Sequence, residues 1–99
     1  MMSRREVSMT FTAKGDTSSF ISCTHNNADN VLDISFSADS DWSGMVMLQK
    51  TVDGGVTVND VDWITENIEY SVKDHSEGVM YRLKCTYYES GQAEGRIYK

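Results

Sequence analysis

Apolar residues alternate with polar residues along much of this 99-residue chain. In the segment VSMTFTA, Val7, Met9, Phe11 and Ala13 share one side, and hydroxyl side chains occupy the other. A period of two is typical of a β-strand with one buried face and one solvent-exposed face. The same pattern recurs in VLDISFS (31–37), IEYSV (68–72) and VMYRLKCTYY (79–88). The alternation predicts that these four segments are strands.

Weaker alternation predicts further strands in SSFISCT, GMVMLQKT, VTV and GRIY, and clusters of Gly, Asn, Asp and Ser separate the segments. About eight short strands at near-regular intervals are typical of a sandwich or a small barrel. The sequence therefore predicts an all-β fold. We expect a single antiparallel β-sandwich, immunoglobulin-like or jelly-roll-like, with about 7–9 short strands in one domain over residues 1–99.

Charge argues against a nucleic-acid partner. The net charge is −6, and the nine basic residues are dispersed apart from the pair Arg4 and Arg5, whereas phosphate recognition needs clustered Lys and Arg. No apolar run follows that pair, and no segment approaches the roughly 20 apolar residues of a membrane span. We expect neither nucleic acid nor a membrane as a partner, and synthesis in a cytoplasm.

The segment TVDGGVTV places Thr51, Asp53, Gly55 and Thr57 at alternate positions. This spacing resembles the Asp-box hairpin of sialidase-like propellers, with Val58 where that motif has Trp. The resemblance implies that the Asp53 carboxylate accepts hydrogen bonds from N–H groups of its own turn, which is a structural role. A single copy cannot build a propeller. We therefore interpret Asp53 and Gly55 as a structural turn.

Cys23 and Cys85 each lie on the apolar side of a predicted strand, with Trp42 between them in the sequence. This order resembles the immunoglobulin domain, in which a Cys pair bridges the two sheets over a buried Trp. The resemblance implies a Cys23–Cys85 disulfide, although Tyr81 lies further from Cys85 than the tyrosine of that family does. The alternative is a pair of buried thiols facing one core, which is the usual state in a reducing cytoplasm.

The sequence has no motif typical of a metal site or of a catalytic nucleophile. His25 and His75 lie in polar loops, and the spacings HxH, HExxH, CxxC and GxSxG do not occur. A metal site built from His25, Asp29 and either Asp39 or Asp41 would draw on residues that turns usually expose to solvent. The sequence therefore predicts a protein without enzymatic activity, metal or cofactor.

Strict alternation over 79–88 places Tyr87 toward the core and Tyr88 toward solvent. Met80 and Trp42 are expected to be exposed by alternation or loop position. Exposed aromatic residues and Met suit a protein interface or a sugar-binding platform. We take Met80, Tyr88 and Trp42 as interface candidates and expect a closed homo-oligomer, a trimer ahead of a dimer, with 79–88 at or near the contact.

Residues 41–61, DWSGMVMLQKTVDGGVTVNDV, and residues 81–97, YRLKCTYYESGQAEGRI, together resemble small virion proteins of tailed bacteriophages. The shared sequence pattern is a W-x-G-x-V-x-L-Q strand, a D-G-G turn, and a Y-R strand that ends in an aromatic residue and a Ser-Gly turn. The matching positions are Trp42, Gly44, Val46, Leu48, Gln49, Asp53, Gly55, Tyr81, Arg82, Tyr87, Ser90 and Gly91. The resemblance implies a structural role on a phage particle, as a head decoration, a head-to-tail accessory or a tail appendage.

The leading hypothesis is a non-enzymatic bacteriophage virion structural protein, made in the host cytoplasm and located in the virion. Its expected partners are other phage virion proteins of the capsid or tail, together with further copies of itself. The alternative is a carbohydrate-binding β-sandwich module that uses Trp42 for stacking and Asp39 and Asp41 for hydrogen bonds. A third hypothesis is an immunoglobulin-like adhesion domain.

Overall fold

Eight β-strands make up the regular secondary structure, in a computed structural model that describes residues 6–23 and 30–99. The strands are β1 Glu6–Phe11, β2 Ile21–Ser22, β3 Val31–Ala38, β4 Ser43–Thr51, β5 Asn59–Ile64, β6 Ile68–Lys73, β7 Met80–Ser90 and β8 Ala93–Tyr98. Within the described residues there is no helix. The all-β prediction is confirmed.

The strands form two four-stranded antiparallel sheets, a first sheet ordered β1-β8-β3-β6 and a second sheet ordered β2-β7-β4-β5. The chain crosses between the sheets at every connection except the β4–β5 hairpin. This is the strand order of an eight-stranded jelly roll. An immunoglobulin sandwich would instead pair its first two strands with each other. The jelly-roll alternative is therefore right, and the immunoglobulin-like alternative is wrong.

One apolar core lies between the inner faces of the two sheets. The largest buried side chains of the core are Phe11, Leu32, Ile34, Phe36 and Ile97 from the first sheet and Val46, Leu48, Ile64, Tyr81 and Leu83 from the second. Burying an aliphatic or Phe side chain of this kind contributes about 1.5–3 kcal/mol relative to leaving it exposed. Gly95 of β8 keeps the sheets close, because a Cβ there would lie 2.6 Å from Leu83 Cδ1.

Two predicted strands differ from the structure. The segment VTV (56–58) belongs to the turn before β5, which begins at Asn59. In β5 the apolar alternation lies on the outside, because Val61 and Trp63 are exposed while Ile64 is buried. The segment SSFISCT contributes only the two residues of β2, and the chain before it runs irregularly beside β7, with Ser18 N–H donating to the Leu83 carbonyl at 2.9 Å.

Cys23 and Cys85 are both buried in the core, but no disulfide joins them. Cys23 lies beside the start of β7, where its N–H donates to the Val79 carbonyl at 3.1 Å. Cys85 belongs to β7 itself. At about 3.3 Å per residue, the stretch from Val79 to Cys85 separates the two cysteines by roughly 20 Å, whereas a disulfide needs Cα atoms within about 7 Å. The disulfide alternative is wrong.

We expect two titratable thiols per chain in denatured protein purified without oxidant, because the folded chain holds the two sulfurs too far apart to pair. In the folded state both should react slowly, since both are buried and burial raises the pKa of Cys85. Titration with a thiol reagent, with and without guanidinium, measures both values. Finding no thiols in the denatured sample would contradict the strand register around β7.

Candidate functional site

The apolar side chains of β7 change face part way along the strand. Val46 of β4 lies opposite Cys85, but the next β4 residue toward the N-terminus, Met45, lies opposite Tyr87. Thr86 is therefore an extra residue in β7, and it forms a β-bulge in the ladder. Because side chains alternate with a period of two, this extra residue exchanges the faces of Tyr87 and Tyr88. A second register shift follows, in which Glu89 is an extra residue between Tyr88 and Ser90.

The exchange reverses the two tyrosines. Tyr87 is 52% exposed, whereas Tyr88 packs against the core. The Tyr88 ring lies 6.0 Å from the Trp42 ring between centroids, and its hydroxyl donates to the Gly91 carbonyl at 2.9 Å. The prediction that Tyr88 faces solvent and Tyr87 faces the core is wrong, because strict alternation does not hold across the bulge at Thr86.

Four side chains form an apolar patch on the outer face of the second sheet: Met45, Met47, Trp63 and Tyr87. We call them the Met-aromatic patch. Met45 lies opposite Tyr87 and Met47 lies opposite Trp63, so the patch crosses β7, β4 and β5. Trp63 is 65% exposed, and the two methionines are partly exposed. Clustered exposed aromatic residues and Met are typical of an interaction surface.

Two charged side chains of β7 flank the patch. Lys84 lies opposite Met47 in the ladder. Glu89, further along β7, accepts hydrogen bonds from Ser43 Oγ at 2.9 Å and from the Tyr87 hydroxyl at 3.2 Å, and its charge raises the pKa of Tyr87. In the part of the chain that the structure describes, neither Lys84 nor Glu89 belongs to an ion pair.

A chain of polar side chains bounds the patch toward the β4–β5 turn. Arg82 Nε donates to Gln49 Oε1 at 2.9 Å, and Gln49 Nε2 donates to Asp60 Oδ1 at 2.8 Å. The Arg82 guanidinium also lies over the Phe20 ring, 4.7 Å from its centroid. These contacts bury Gln49 on the outer face and leave Arg82 engaged within its own chain.

Trp42 does not form an exposed platform. Its ring packs edge-on against Phe36, with centroids 5.9 Å apart, and also against Tyr88. Asp39 and Asp41 are exposed in the turn before it, and the backbone N–H of Trp42 donates to the backbone carbonyl of Asp39 at 3.0 Å. The ring that the carbohydrate alternative requires is therefore partly buried in the core.

Met80 lies apart from the other two interface candidates. It pairs with Thr51 at the start of β7, whereas Tyr88 pairs with Gly44 near the far end of that strand. Met80 is partly exposed. The structure thus brings Trp42 and Tyr88 together on the inside of the sandwich and leaves Met80 on the outside of the second sheet.

The β4–β5 turn is organised by Thr51 and Asp53. The Asp53 carboxylate accepts hydrogen bonds from the Thr57 N–H at 2.9 Å and the Thr51 hydroxyl at 2.8 Å, and Thr51 Oγ1 accepts one from the Gly55 N–H at 2.9 Å. These bonds, the Thr57 N–H foremost, lower the pKa of Asp53. Gly54 and Gly55 have φ of 75° and 99°, a region that favours glycine. All of these bonds lie within the turn.

A second carboxylate, Asp74, lies between β6 and β7 at one end of the sandwich. It accepts hydrogen bonds from the Tyr81 hydroxyl at 2.6 Å and the Ser76 N–H at 2.8 Å, and Lys50 Nζ lies 3.4 Å away. Burial acts to raise the pKa of Asp74, but these bonds and the lysine charge outweigh it and hold the pKa well below its ordinary value of 3.8. Burial and Asp74 together raise the pKa of Tyr81.

No metal site appears in residues 6–23 and 30–99, which contain no group of three or more His, Cys, Asp or Glu side chains able to hold an ion. His75 Nδ1 lies 2.7 Å from Asn30 Nδ2. The considered metal ligands His25 and Asp29 lie outside the described residues. The described residues also include no helix long and apolar enough to cross a membrane.

The sequence interpretation missed Trp63, Met45 and Met47 as surface residues. The segment GMVM carried the signal for the two methionines, because they alternate with Val46 and only one of the two faces can be inside. In NDVDWI, Val61 and Trp63 alternate with carboxylates. That pattern indicates a strand but does not show which of its sides faces the core.

No protein-family model, curated protein or solved structure gave a significant match to the chain.

Replacing Tyr88 by Ala should lower the free energy of unfolding by about 2–4 kcal/mol, because it leaves a cavity against Trp42 and the core. Tyr87→Ala is the matched control and should leave the melting temperature almost unchanged, since that ring is exposed. Urea unfolding of the two variants gives the comparison. A larger loss for Tyr87→Ala would contradict the bulge at Thr86.

Asp74→Asn should lower the free energy of unfolding by about 2 kcal/mol at neutral pH, because hydrogen bonds to a charged group are lost. The pKa of Asp74 is depressed in the folded state, so its contribution is present above the ordinary value of 3.8 and is lost as pH falls through the folded value. The stability difference between wild type and variant should therefore be constant above about pH 5 and shrink in acid. Denaturant unfolding between pH 2 and 7 tests it, and a difference that grows in acid would contradict it.

Proposed function

We propose that the protein is a non-enzymatic bacteriophage virion structural protein that acts through protein–protein assembly. The Met-aromatic patch is the observation that carries the proposal. Trp63 and Tyr87 are exposed on the outer face of the second sheet, on either side of the two methionines of β4. Trp, Tyr and Met are enriched at interfaces, where large apolar side chains bury the most area per residue.

The architecture is compatible with this role. Eight-stranded jelly rolls occur in viral capsid proteins and in lectins. A fold alone does not fix a function, so the architecture supports the virion role only by analogy. Because lectins share this architecture, carbohydrate binding is the second candidate function.

Part of the phage-like sequence pattern, Trp42, Gly44, Ser90 and Gly91, meets at one packed corner of the sandwich. A Cβ on Gly44 would lie 2.7 Å from the Trp42 ring, and a Cβ on Gly91 would lie 2.5 Å from the Asp41 backbone. Ser90 Oγ donates to the Asp41 carbonyl at 2.8 Å. The Trp, Gly and Ser-Gly elements of the pattern therefore pack against one another. We expect proteins that carry all of these elements to share this packed corner.

On this proposal the chain is made in the host cytoplasm and binds other capsid or tail proteins, as a head decoration, a head-to-tail accessory or a tail appendage. Carbohydrate binding would use Trp63 and Tyr87 as stacking surfaces and not Trp42, because the Trp42 ring packs against Phe36 and Tyr88. Glycan-array binding that is lost in Trp63→Ala would favour that second candidate.

We expect the chain to be present in density-gradient-purified particles released by the strain that carries its gene. The test supplies a tagged copy in a strain that lacks the native gene and measures the tag in the particle band. Trp63→Ser combined with Tyr87→Glu should reduce incorporation at least about tenfold, because truncating central interface residues removes most of the binding energy. Glu69→Lys, on the outer face of the first sheet, is the control and should be retained. Absence of the wild-type chain from the particles would contradict the proposed function.

A further inference from the structure

We propose that the outer face of the second sheet is a two-fold interface between two copies of this chain, in which Lys84 of each copy pairs with Glu89 of the other. The inference rests on the proposed function and deepens it, because it names the first partner in assembly. It also specifies how the Met-aromatic patch is covered.

Lys84 and Glu89 lie on either side of the Met45–Tyr87 rung, which is one of the two rungs of the patch; Met47 and Trp63 form the other. We call the Met45–Tyr87 rung the central rung, because it lies midway between the two charged residues. Lys84 lies on the rung of Met47, two residues from Met45 along β4, whereas Glu89 hydrogen-bonds Ser43, two residues from Met45 on the other side. Each charge therefore lies about 7 Å from the central rung, because two strand residues span that distance.

Two copies can pack with the outer faces of their second sheets in contact. If the two-fold axis lies in the plane of contact, perpendicular to the strands and level with the central rung, the two faces are complementary. The axis reverses the strand direction in the second copy, so Lys84 of one copy lies over Glu89 of the other, and the pair occurs twice. Tyr87 and Met45 then meet their own counterparts at the centre. The two register shifts of β7 against β4, at Thr86 and at Glu89, set this spacing.

Charge complementarity argues for a second copy in preference to an unrelated partner. Lys84 and Glu89 lie beside the patch, and within the described residues neither is ion-paired. The neighbouring cation Arg82 is already held by Gln49 and Phe20. A surface with one unpaired charge of each sign at equal distances from its centre is complementary to itself.

Pairing through the free edge of β5 is a weaker arrangement for two copies. That edge carries Asp60 and Asp62, which are two residues apart in the same short strand. Antiparallel pairing of β5 with its own copy would bring these carboxylates near one another, and like charges opposite each other destabilise a ladder. The outer face of the second sheet is therefore the better contact. The net charge of −6 does not prevent association, because charges are screened beyond about 8 Å at physiological ionic strength.

The test is a charge exchange measured by sedimentation equilibrium at fixed ionic strength. Wild type should be a dimer. Lys84→Glu alone and Glu89→Lys alone should each weaken dimerisation at least about tenfold, because each places two pairs of like charges across the interface. An equimolar mixture of the two variants should recover association to within about threefold of wild type, since the mixed dimer has opposite charges at both pairs.

Lys73→Glu and Glu69→Lys are the matched controls, because they make the same charge changes on the outer face of the first sheet and should leave dimerisation unchanged. Circular dichroism confirms that each variant is folded. A monomeric or trimeric wild type, single variants that dimerise like wild type, or a mixture that does not recover would each overturn the inference. Particle incorporation is measured separately, so a failed exchange with the chain present in particles rejects this interface and leaves the proposed function standing.

Discussion

The pairing of β7 with β4 is the constraint on which the rest of the structure depends. β7 supplies Tyr81, Leu83 and Cys85 to the core, and then the extra residue Thr86 turns its inner and outer faces around. Without that bulge Tyr87 would point inward and Tyr88 outward. The exposure of Tyr87 and the contact of Tyr88 with Trp42 are thus two consequences of a single added residue.

The two outer faces of the sandwich differ in chemistry. On the first sheet, one rung runs through Ser8, Arg96, Ser35 and Glu69, which are all polar. On the second sheet, the corresponding surface carries the Met-aromatic patch. Because apolar area drives association while polar area favours water, the second sheet offers the better outer face for a large contact among the described residues.

Polar contacts hold one end of the second sheet in a fixed position, where β4 ends and β7 begins. Asp74 links β4 and β7 through Lys50 and Tyr81, and Asp53 closes the hairpin from β4 to β5. Both carboxylates have lowered pKa values because hydrogen bonds favour their charged forms. These bonds fix the end of β4 and the start of β7, two strands that also carry Met45, Met47 and Tyr87 of the patch.

The sequence by itself determined the class of the fold and the side of β3 that is buried, because Leu32, Ile34 and Phe36 follow one uninterrupted alternation. It also indicated the turn around Asp53, whose hydrogen bonds are local. The tertiary structure decided which side of β5 faces the core, which tyrosine is exposed and how far apart the two cysteines lie. Each of these depends on the partner strand and its register. Those are long-range properties that a period of two along the chain does not encode.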